Sequence, residues 1–105
     1  MTTEPRTQDL ATIFRALGDP SRLAIFELIR ECCQEGSGQS TTDLRNTVSE
    51  IAKRFDLSLS TVSHHLKELR TAGLIKCERQ GQRIFCSVDP ETLAIVDRFL
   101  RASGS

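Results

Sequence analysis

The hydrophobic pattern between residues 47 and 73 predicts two short helices joined by a tight turn. In the first helix, apolar residues recur at positions i, i+3, i+4 and i+7 and line one helical face: Val48, Ile51, Ala52 and Phe55. Thr47 and Glu50 have the spacing of a capping box at its start. Residues 56–58 break the pattern, and Ser58 can cap a second helix that Gly73 ends. The apolar side of this second helix consists of Val62, Leu66 and Leu69.

The same helical period predicts three more amphipathic helices around this pair. From Thr7, one helix carries the apolar face Leu10, Ile13, Phe14 and Leu17 and ends at Gly18. Asp19-Pro20 and Asp89-Pro90 each place an N-cap before a proline at the first helical position, and so begin the other two. The predicted core face of the second helix is Leu23, Phe26 and Ile29, widened by Ala24, Ile25 and Leu28. The apolar stripe of the last, amphipathic helix is Leu93, Val96 and Leu100 with Ile95 and Phe99. Residues 36–43 have no such period and predict a loop.

A β-hairpin is predicted directly after the second helix of the pair. Two short β-prone runs, residues 74–79 and 83–88, flank a turn with a glycine at its tip. If Gly81 and Gln82 form the central turn, Cys77 and Cys86 are directly opposed. We therefore predict a winged helix-turn-helix, a mainly α fold (α+β) of about five helices and a two-stranded wing. Residues 1–105 form one domain, in which 1–6 and 102–105 are expected to be frayed tails.

The polar face of the second helix of the pair differs from that of a helix built only for packing and solubility. Instead of Glu/Lys pairs it carries short hydroxyls, an imidazole and an ammonium group: Ser60, Thr61, Ser63, His64 and Lys67. Small donors and acceptors near a helix N-terminus suit contact with phosphates and base edges in a DNA major groove. The simpler alternative is that the hydroxyls only cap the helix and that His64 is solvated.

The charge distribution favours the nucleic-acid interpretation, although the formal net charge is zero. Residues 1–52 hold five basic and eight acidic side chains, whereas residues 53–83 hold seven basic and three acidic ones. The positive charge therefore coincides with the predicted helix-turn-helix and wing, as contact with phosphates requires. The four cysteines have no zinc-finger spacing, and no apolar run is long enough to span a membrane. We expect a cytoplasmic protein with no membrane partner.

These features together resemble the ArsR/SmtB family of bacterial winged-helix repressors over roughly residues 9–100. The strongest segments are residues 14–29, 57–75 and 81–90, which read FRALGDPSRLAIFELI, LSLSTVSHHLKELRTAGLI and GQRIFCSVDP. The resemblance implies a homodimer that represses operons from double-stranded operator DNA and dissociates when a metal ion, a metalloid or an oxidant acts on it. It makes Ser60, Thr61, Ser63, His64 and Lys67 recognition-helix positions, and Arg79, Gln82 and Arg83 wing positions.

The effector sites of the family are incomplete in this chain. The family's thiol-rich metal site has a Cys-x-Cys pattern at the start of the first helix of the helix-turn-helix, where residues 48–51 contain no cysteine. Its zinc site on the terminal helix uses Asp and His, and that helix has Asp97 but no histidine. We therefore expect no metal and no other cofactor, and we expect a member of the third class, which senses through cysteine chemistry.

Cys32 and Cys33, adjacent at the end of the second helix of the chain, are the predicted effector site. Neighbouring Cα atoms lie about 3.8 Å apart, whereas disulfides ordinarily need about 4.4–6.8 Å, so a bond here would be strained and readily reduced. Its formation would distort the helix end and the loop that leads to Thr47. Two alternatives stay open: the pair chelates trivalent arsenic or another thiophilic species with a third sulfur, or Cys32 simply packs as a small apolar residue.

The remaining candidates for chemistry are predicted to be structural. Cys77 and Cys86 are expected to pack in a thin hairpin rather than to cross-link, and His65 to pack rather than to bind a ligand. No nucleophile–base pair, phosphate loop or paired carboxylates indicate an enzyme. The wide apolar stripe of the last helix predicts a dimer through the first and last helices. A winged helix used as a protein-interaction module is the rival to a DNA-binding function.

Overall fold

The structure, a computed structural model, describes residues 5–35 and 46–102, with side chains for 8–31 and 46–102. Within these ranges the chain forms five helices and one β-hairpin, which confirms the predicted winged-helix architecture. The elements are α1 (Pro5–Leu17), α2 (Pro20–Glu35), α3 (Val48–Phe55), α4 (Leu59–Thr71), β1 (Ile75–Gln80), β2 (Arg83–Val88) and α5 (Pro90–Ala102). Residues 5, 6 and 102, expected from the sequence to belong to frayed tails, are helical. The predicted loop 36–43 lies outside the described residues.

The helix-turn-helix pair α3–α4 has the N-caps that the sequence predicts. Thr47 Oγ1 accepts a hydrogen bond from Glu50 N (3.3 Å), and Ser58 Oγ accepts one from Thr61 N (3.1 Å). Between the two helices Asp56 adopts the left-handed conformation, with a φ of 53°, and its N–H donates to Lys53 O (3.2 Å). These bonds satisfy helix-end groups that would otherwise lack partners, and so they stabilise the tight turn.

Helix α4 ends in a Schellman motif. Gly73 has a φ of +80°, a conformation that a residue with a Cβ adopts only with strain. Gly73 N donates to Arg70 O (2.9 Å), and Leu74 N donates to Leu69 O (3.0 Å). This turn reverses the chain and directs it into β1.

The hydrophobic core lies where helices α1 to α4 meet the base of the wing. Its fully buried side chains are Ile13, Ile25, Ile29, Ile51, Val62, Leu69, Leu74 and Cys86. One predicted core position is wrong for this chain, because Leu23 is 40% exposed. Phe14, on the predicted apolar face of α1, is 41% exposed. Apolar periodicity marks a face that avoids water, and it does not distinguish a core face from one that another chain covers.

The wing is a two-stranded antiparallel hairpin with a two-residue turn at Gly81-Gln82. Its register places Cys77 opposite Cys86, as the sequence predicts. The wing is tied to the start of α3 by two contacts: Thr47 forms an isolated β-bridge with Phe85, and the buried Asn46 donates from Nδ2 to Cys86 O (3.1 Å). Asn46 Nδ2 also lies 3.5 Å from Ile29 O, so this amide joins α2, α3 and β2.

Helix α5 packs on the rest of the chain over only part of its surface. Thr92 Oγ1 donates to Gly73 O (2.6 Å), and Leu93 and Val96 are partly buried against the core. No residue of α5 is buried, and Phe99 and Leu100 are 44% and 60% exposed. The ring of Phe99 lies 6.0 Å from that of Phe14, centroid to centroid. Phe14, Phe99 and Leu100 therefore form an exposed apolar surface, called here the α1–α5 surface.

Candidate nucleic-acid interface

The polar face of α4 is open to solvent along its length. All five predicted recognition residues are exposed: Ser60, Thr61, Ser63, His64 and Lys67. The opposite side of the helix buries Val62, Leu66 and Leu69, so packing alone fixes which face is presented. The His64 ring lies 6.1 Å from the neighbouring His65 ring, centroid to centroid. The hydroxyls and imidazole at the start of this helix are therefore accessible to a bound molecule.

Two of the five predicted recognition residues also take part in capping. Ser58 Oγ, the N-cap oxygen of α4, lies 2.8 Å from Thr61 Oγ1 and 3.3 Å from Ser60 Oγ. The simpler alternative was that the hydroxyls of this face only cap the helix. Capping is thus part of the role of Ser60 and Thr61. Ser63 and His64, one turn further along, are better placed to contact a ligand with their whole hydrogen-bonding capacity.

An open cleft of about 620 Å³ lies between the start of α3, the start of α4 and the tip of the wing. Its lining residues are Thr47, Val48, Ser49, Glu50, Leu59, Ser63, Gln82, Arg83 and Ile84. We call this the interface cleft. It brings together Ser63 of α4 with Gln82 and Arg83 of the wing, three residues predicted from two separate parts of the sequence. Hydroxyl, amide and guanidinium donors share one concave surface there.

The two wing arginines lie on opposite faces of the hairpin. Cross-strand partners share a face and successive residues alternate, so Arg83 shares a face with Phe85, while Arg79 shares one with Cys77. Phe85 pairs with Thr47 along the edge of β2, and Thr47 and Arg83 both line the interface cleft, whereas Arg79 does not. Arg83 therefore extends the cleft, and Arg79 is an exposed cation on the other side of the wing.

Leu59 lines the interface cleft but is not among the residues predicted from the sequence. It is the first residue of α4, and it is 57% exposed. Hydrophobic patterning did not contain this signal, because Leu59 precedes Val62 by three residues and Leu66 by seven and so continues the apolar stripe of α4. A large exposed apolar side chain that lines the same cleft as Ser63 is suited to an apolar group of a ligand.

The four cysteines fall into two pairs, and side chains are described for one of them. Cys32 and Cys33 belong to the last turn of α2, and their side chains lie outside the described residues. Cys77 Sγ and Cys86 Sγ are 3.7 Å apart, with Cys86 buried and Cys77 half-buried in the base of the wing. The Cys86 thiol beside it, together with the Arg70 guanidinium, lowers the pKa of Cys77 to about 6 although burial acts in the opposite direction.

Neither a metal centre nor a membrane span is found in the part of the chain that the structure describes. Among the side chains of residues 8–31 and 46–102, no three His, Cys, Asp or Glu come together in a way that could hold a metal ion. Asp97 of α5 instead forms a bidentate pair with Arg101, both oxygens 2.9 Å from Arg101 Nε. In the same ranges, none of the helices has the length and apolar character to cross a bilayer.

The solvent-exposed helix face, the cleft and the basic hairpin define a winged helix-turn-helix DNA-binding protein. The model of a protein family described as "Helix-turn-helix domain" matches residues 17–78 of this chain. The transcriptional repressor SdpR of Bacillus subtilis is 32% identical over 81 residues, which cover 77% of each chain. The crystal structure of an ArsR family transcriptional regulator has a TM-score of 0.70 and 30% identity, covering 99% of this chain and 93% of that one.

The chain belongs to the ArsR family of winged-helix transcriptional repressors, which are regulators and not enzymes. A homodimeric winged helix-turn-helix DNA-binding domain from Mycobacterium bovis also has the same fold, with a TM-score of 0.67 and 21% identity. That superposition covers 99% of this chain and 88% of the other. The expected resemblance to the ArsR/SmtB family is therefore confirmed.

Proposed function

We propose that this protein represses transcription as a homodimer that binds double-stranded operator DNA through α4 and the wing. The observation that carries the proposal is the interface cleft, in which Ser63 of α4 and Arg83 of β2 line one open surface. A recognition helix enters the major groove with its N-terminal residues at the base edges, while flanking cations contact the backbone. In this arrangement the first turns of α4 contact the base edges, and the tip of the wing contacts the DNA backbone.

Base contacts are assigned to the start of α4. Ser63 and His64 supply small hydrogen-bonding groups for base edges, and Leu59 supplies an apolar contact of the kind that the thymine methyl group accepts. Ser60 and Thr61, held in the Ser58 cap, keep the helix start in place and lie close to the same groove. Sequence preference should therefore reside mainly in Leu59, Ser63 and His64.

Backbone contacts are assigned to the cations around that face. Lys67 lies on the exposed side of α4, and Arg83 and Gln82 border the cleft at the wing tip. Arg79, on the other face of the wing, contributes positive charge that attracts DNA of any sequence. Removing these side chains should weaken binding to specific and random DNA by similar factors.

The homodimer is proposed to form across the α1–α5 surface. Phe14, Phe99 and Leu100 are all exposed, and α5 has no buried residue of its own. Aromatic and aliphatic side chains of this size rarely gather on a face that stays in water. A twofold axis here would present two copies of α4 to successive half-sites of an operator. The Mycobacterium bovis domain of the same fold is homodimeric, which supports a homodimeric state for this chain.

Release from DNA is proposed to depend on thiol chemistry at Cys32 and Cys33. Both residues belong to the last turn of α2, whose earlier residue Ile29 lies next to Asn46 at the start of the helix-turn-helix. A covalent change at this helix end would act on the segment that leads to α3. The alternative effector is arsenite or another thiophilic metalloid bound by the same pair. Cys32→Ser should retain more DNA binding than the native protein under peroxide or arsenite, conditions in which the native protein dissociates.

The test of the DNA-binding proposal is fluorescence anisotropy with the reduced full chain. The probes are the DNA upstream of its own gene and a scrambled duplex of the same length and composition. The double variant Ser63→Ala/His64→Ala should lose most of the preference for the upstream DNA, by about tenfold or more for two base contacts. Arg79→Ala should weaken both probes alike and keep the ratio. Equal losses on both probes for the two variants would contradict the assignment of base contacts to α4.

A further inference from the structure

We propose that Cys77 and Cys86 are a modification site of the wing, which peroxide-type oxidants convert into a cross-strand disulfide that weakens DNA binding. This inference rests on the proposed operator binding. It concerns a thiol pair on a different element from Cys32 and Cys33, and it replaces the expectation that the wing cysteines only pack.

The geometry of the pair is suited to a disulfide. Cys77 and Cys86 are direct partners in the β1–β2 ladder, and their sulfur atoms are 3.7 Å apart, so the atoms must approach by less than about 2 Å to reach the bonded length of about 2.05 Å. Cα atoms of opposed residues in an antiparallel ladder lie about 4.5–5.5 Å apart, within the usual range for disulfides. The neighbouring Cα atoms of Cys32 and Cys33, at about 3.8 Å, lie outside that range.

The position within the ladder brings the side chains still closer. Residues directly opposite one another alternate between hydrogen-bonded and non-hydrogen-bonded pairs, and the side chains of the latter are nearer together. Asp89 N donates to Leu74 O (3.0 Å), which makes Leu74 and Asp89 a hydrogen-bonded pair. Three steps further along, Cys77 and Cys86 therefore form a pair of the non-hydrogen-bonded kind. A bond between their sulfurs can form without displacing a ladder hydrogen bond.

The two thiols have different surroundings, and we infer from these which thiol attacks the oxidant and which one completes the disulfide. Cys77 is half-buried and reachable from solvent, and its neighbours Cys86 and Arg70 favour the thiolate, with a pKa of about 6. The thiolate is the form that attacks oxidants. Cys86 is buried, and its sulfur lies 3.7 Å from that of Cys77. Cys77 is thus the attacking thiol, and Cys86 is the resolving one.

The reaction is balanced with hydrogen peroxide as the oxidant. The Cys77 thiolate attacks one peroxide oxygen, an S–O bond forms as the O–O bond breaks, and the hydroxide that leaves takes a proton to become water. The Cys86 sulfur then attacks the sulfur of the Cys77 sulfenic acid. An S–S bond forms as the S–O bond breaks, and the departing hydroxide takes the proton of Cys86. Two thiols and one peroxide thus give one disulfide and two waters.

The backbone of Cys86 connects this bond to the DNA-binding elements. Its carbonyl oxygen accepts the hydrogen bond from buried Asn46, and the preceding residue, Phe85, forms the bridge with Thr47, the N-cap of α3. Drawing Cys86 toward Cys77 moves β2 relative to these contacts. The floor of the interface cleft and the position of Arg83, on the same strand, change together. Oxidation should therefore lower the affinity for operator DNA.

The experiment treats the reduced full chain with hydrogen peroxide and digests it with trypsin without reductant. Cleavage after Lys76, Arg79, Arg83 and Arg98 separates the two cysteines into peptides 77–79 and 84–98. The expected product is these two peptides joined, with two hydrogens fewer than their sum. Dithiothreitol should separate them again. Anisotropy on the upstream DNA should show affinity about tenfold weaker after oxidation, an ordinary size for coupling between sites, and full recovery on reduction.

Matched variants separate this pair from Cys32 and Cys33. Cys32→Ser/Cys33→Ser should still form the 77–79/84–98 cross-link and still bind DNA more weakly after oxidation. Cys77→Ser, at the half-buried position, should form no such cross-link. Because Cys86 is buried, Cys86→Ser is a second variant, in which Cys77 should stop at the sulfenic acid and be labelled by dimedone.

Three results would overturn the proposal. Peroxide could leave peptides 77–79 and 84–98 unlinked in the native chain, or the linked protein could bind DNA as tightly as the reduced one. A cross-link in Cys32→Ser/Cys33→Ser without any fall in affinity would equally remove the wing pair from regulation. Failure of the reduced native chain to bind its upstream DNA would instead overturn the proposed function, while the peptide map would still decide whether the disulfide forms.

Discussion

Asn46 is a buried polar residue whose amide nitrogen lies 3.1 Å from Cys86 O and 3.5 Å from Ile29 O. Its Oδ1 has no hydrogen-bond partner among the described residues, so the side chain is held by its donor end alone. Buried amides with an unmet acceptor are costly, which indicates that the two carbonyl contacts have a strong structural role. Asn46 is the point where α2, α3 and the wing are joined.

Asn46→Ala is therefore expected to destabilise the protein. Two buried carbonyl groups are deprived of a donor, and the free energy of unfolding should fall by about 1–3 kcal/mol. Urea unfolding followed by circular dichroism measures the change. Thr71→Ala, at an exposed position on α4, is the control and should stay within about 0.5 kcal/mol of the native chain. An Asn46→Ala value no larger than the control would show that the amide does not join the elements.

The reactivity of Cys77 should depend on pH in a defined direction. The pKa of about 6, lowered first by Cys86 and then by Arg70, means that the thiolate fraction rises as pH rises through that value. The rate of iodoacetamide labelling of peptide 77–79 should therefore increase with a midpoint near that pH. Arg70→Gln should move the midpoint upward, whereas Arg98→Gln, on α5, should not. A midpoint near the ordinary cysteine value in the native chain would contradict this assignment.

At the level of single residues, the sequence predicts the opposition of Cys77 and Cys86 but not their environment. The pairing follows from a two-residue turn, which is local information. The approach of Arg70 to Cys77 depends on how the last turn of α4 packs on β1, which no periodicity contains. For the same reason the exposure of Leu59 and the opposite faces of Arg79 and Arg83 become visible only in three dimensions.

The helices and strands form where local sequence patterns predict them, and the caps and turns between them fix where each one begins and ends. The N-caps at Thr47 and Ser58 and the prolines that begin α2 and α5 are all found where the sequence predicts them. Gly73 is the position at which this local chemistry is most demanding, because its φ of +80° is strained for a residue with a side chain. A Cβ there would lie 3.4 Å from Thr92 Oγ1 of α5.

Gly73→Ala should accordingly destabilise the fold by about 1 kcal/mol or more, because the left-handed conformation is strained for alanine. Thermal unfolding measures the effect. Gly18→Ala is the matched control at the end of α1: its φ is not in the positive range, and a Cβ there would make contacts of 3.4 Å. Equal destabilisation of the two variants would mean that the Schellman turn after α4 has no special role.

At the scale of the whole molecule, the apolar surface that this chain leaves exposed is as informative as its core. Periodicity predicts Leu23 on a core face and Phe14, Phe99 and Leu100 on apolar helix faces, and all four are exposed in the single chain. The wide apolar stripe of the last helix predicts that α1 and α5 meet a second chain, whereas the exposure of Leu23 on α2 is not predicted. A homodimer accounts for the difference at Phe14, Phe99 and Leu100.

Phe99→Glu should convert the protein from dimer to monomer, because it introduces a charge into the centre of the α1–α5 surface. Light scattering coupled to size-exclusion chromatography gives the mass. Leu59→Glu is the matched control, another exposed apolar residue, which lies in the interface cleft. It should remain dimeric and bind DNA more weakly. A native chain with a concentration-independent monomer mass would contradict the dimer.

The most direct test of the DNA-binding surface is a salt titration of operator affinity for Arg83→Ala. Arg83 lines the interface cleft, whereas Arg98 is an exposed arginine of α5. Arg98→Ala is therefore the control, because it removes the same charge from outside the cleft. The slope of log affinity against log salt should fall in magnitude by about two for Arg83→Ala, because the substitution removes one phosphate contact from each protomer of the dimer. Arg98→Ala should keep the native slope. Identical slopes for the two variants would contradict a duplex bound between the wing and α4.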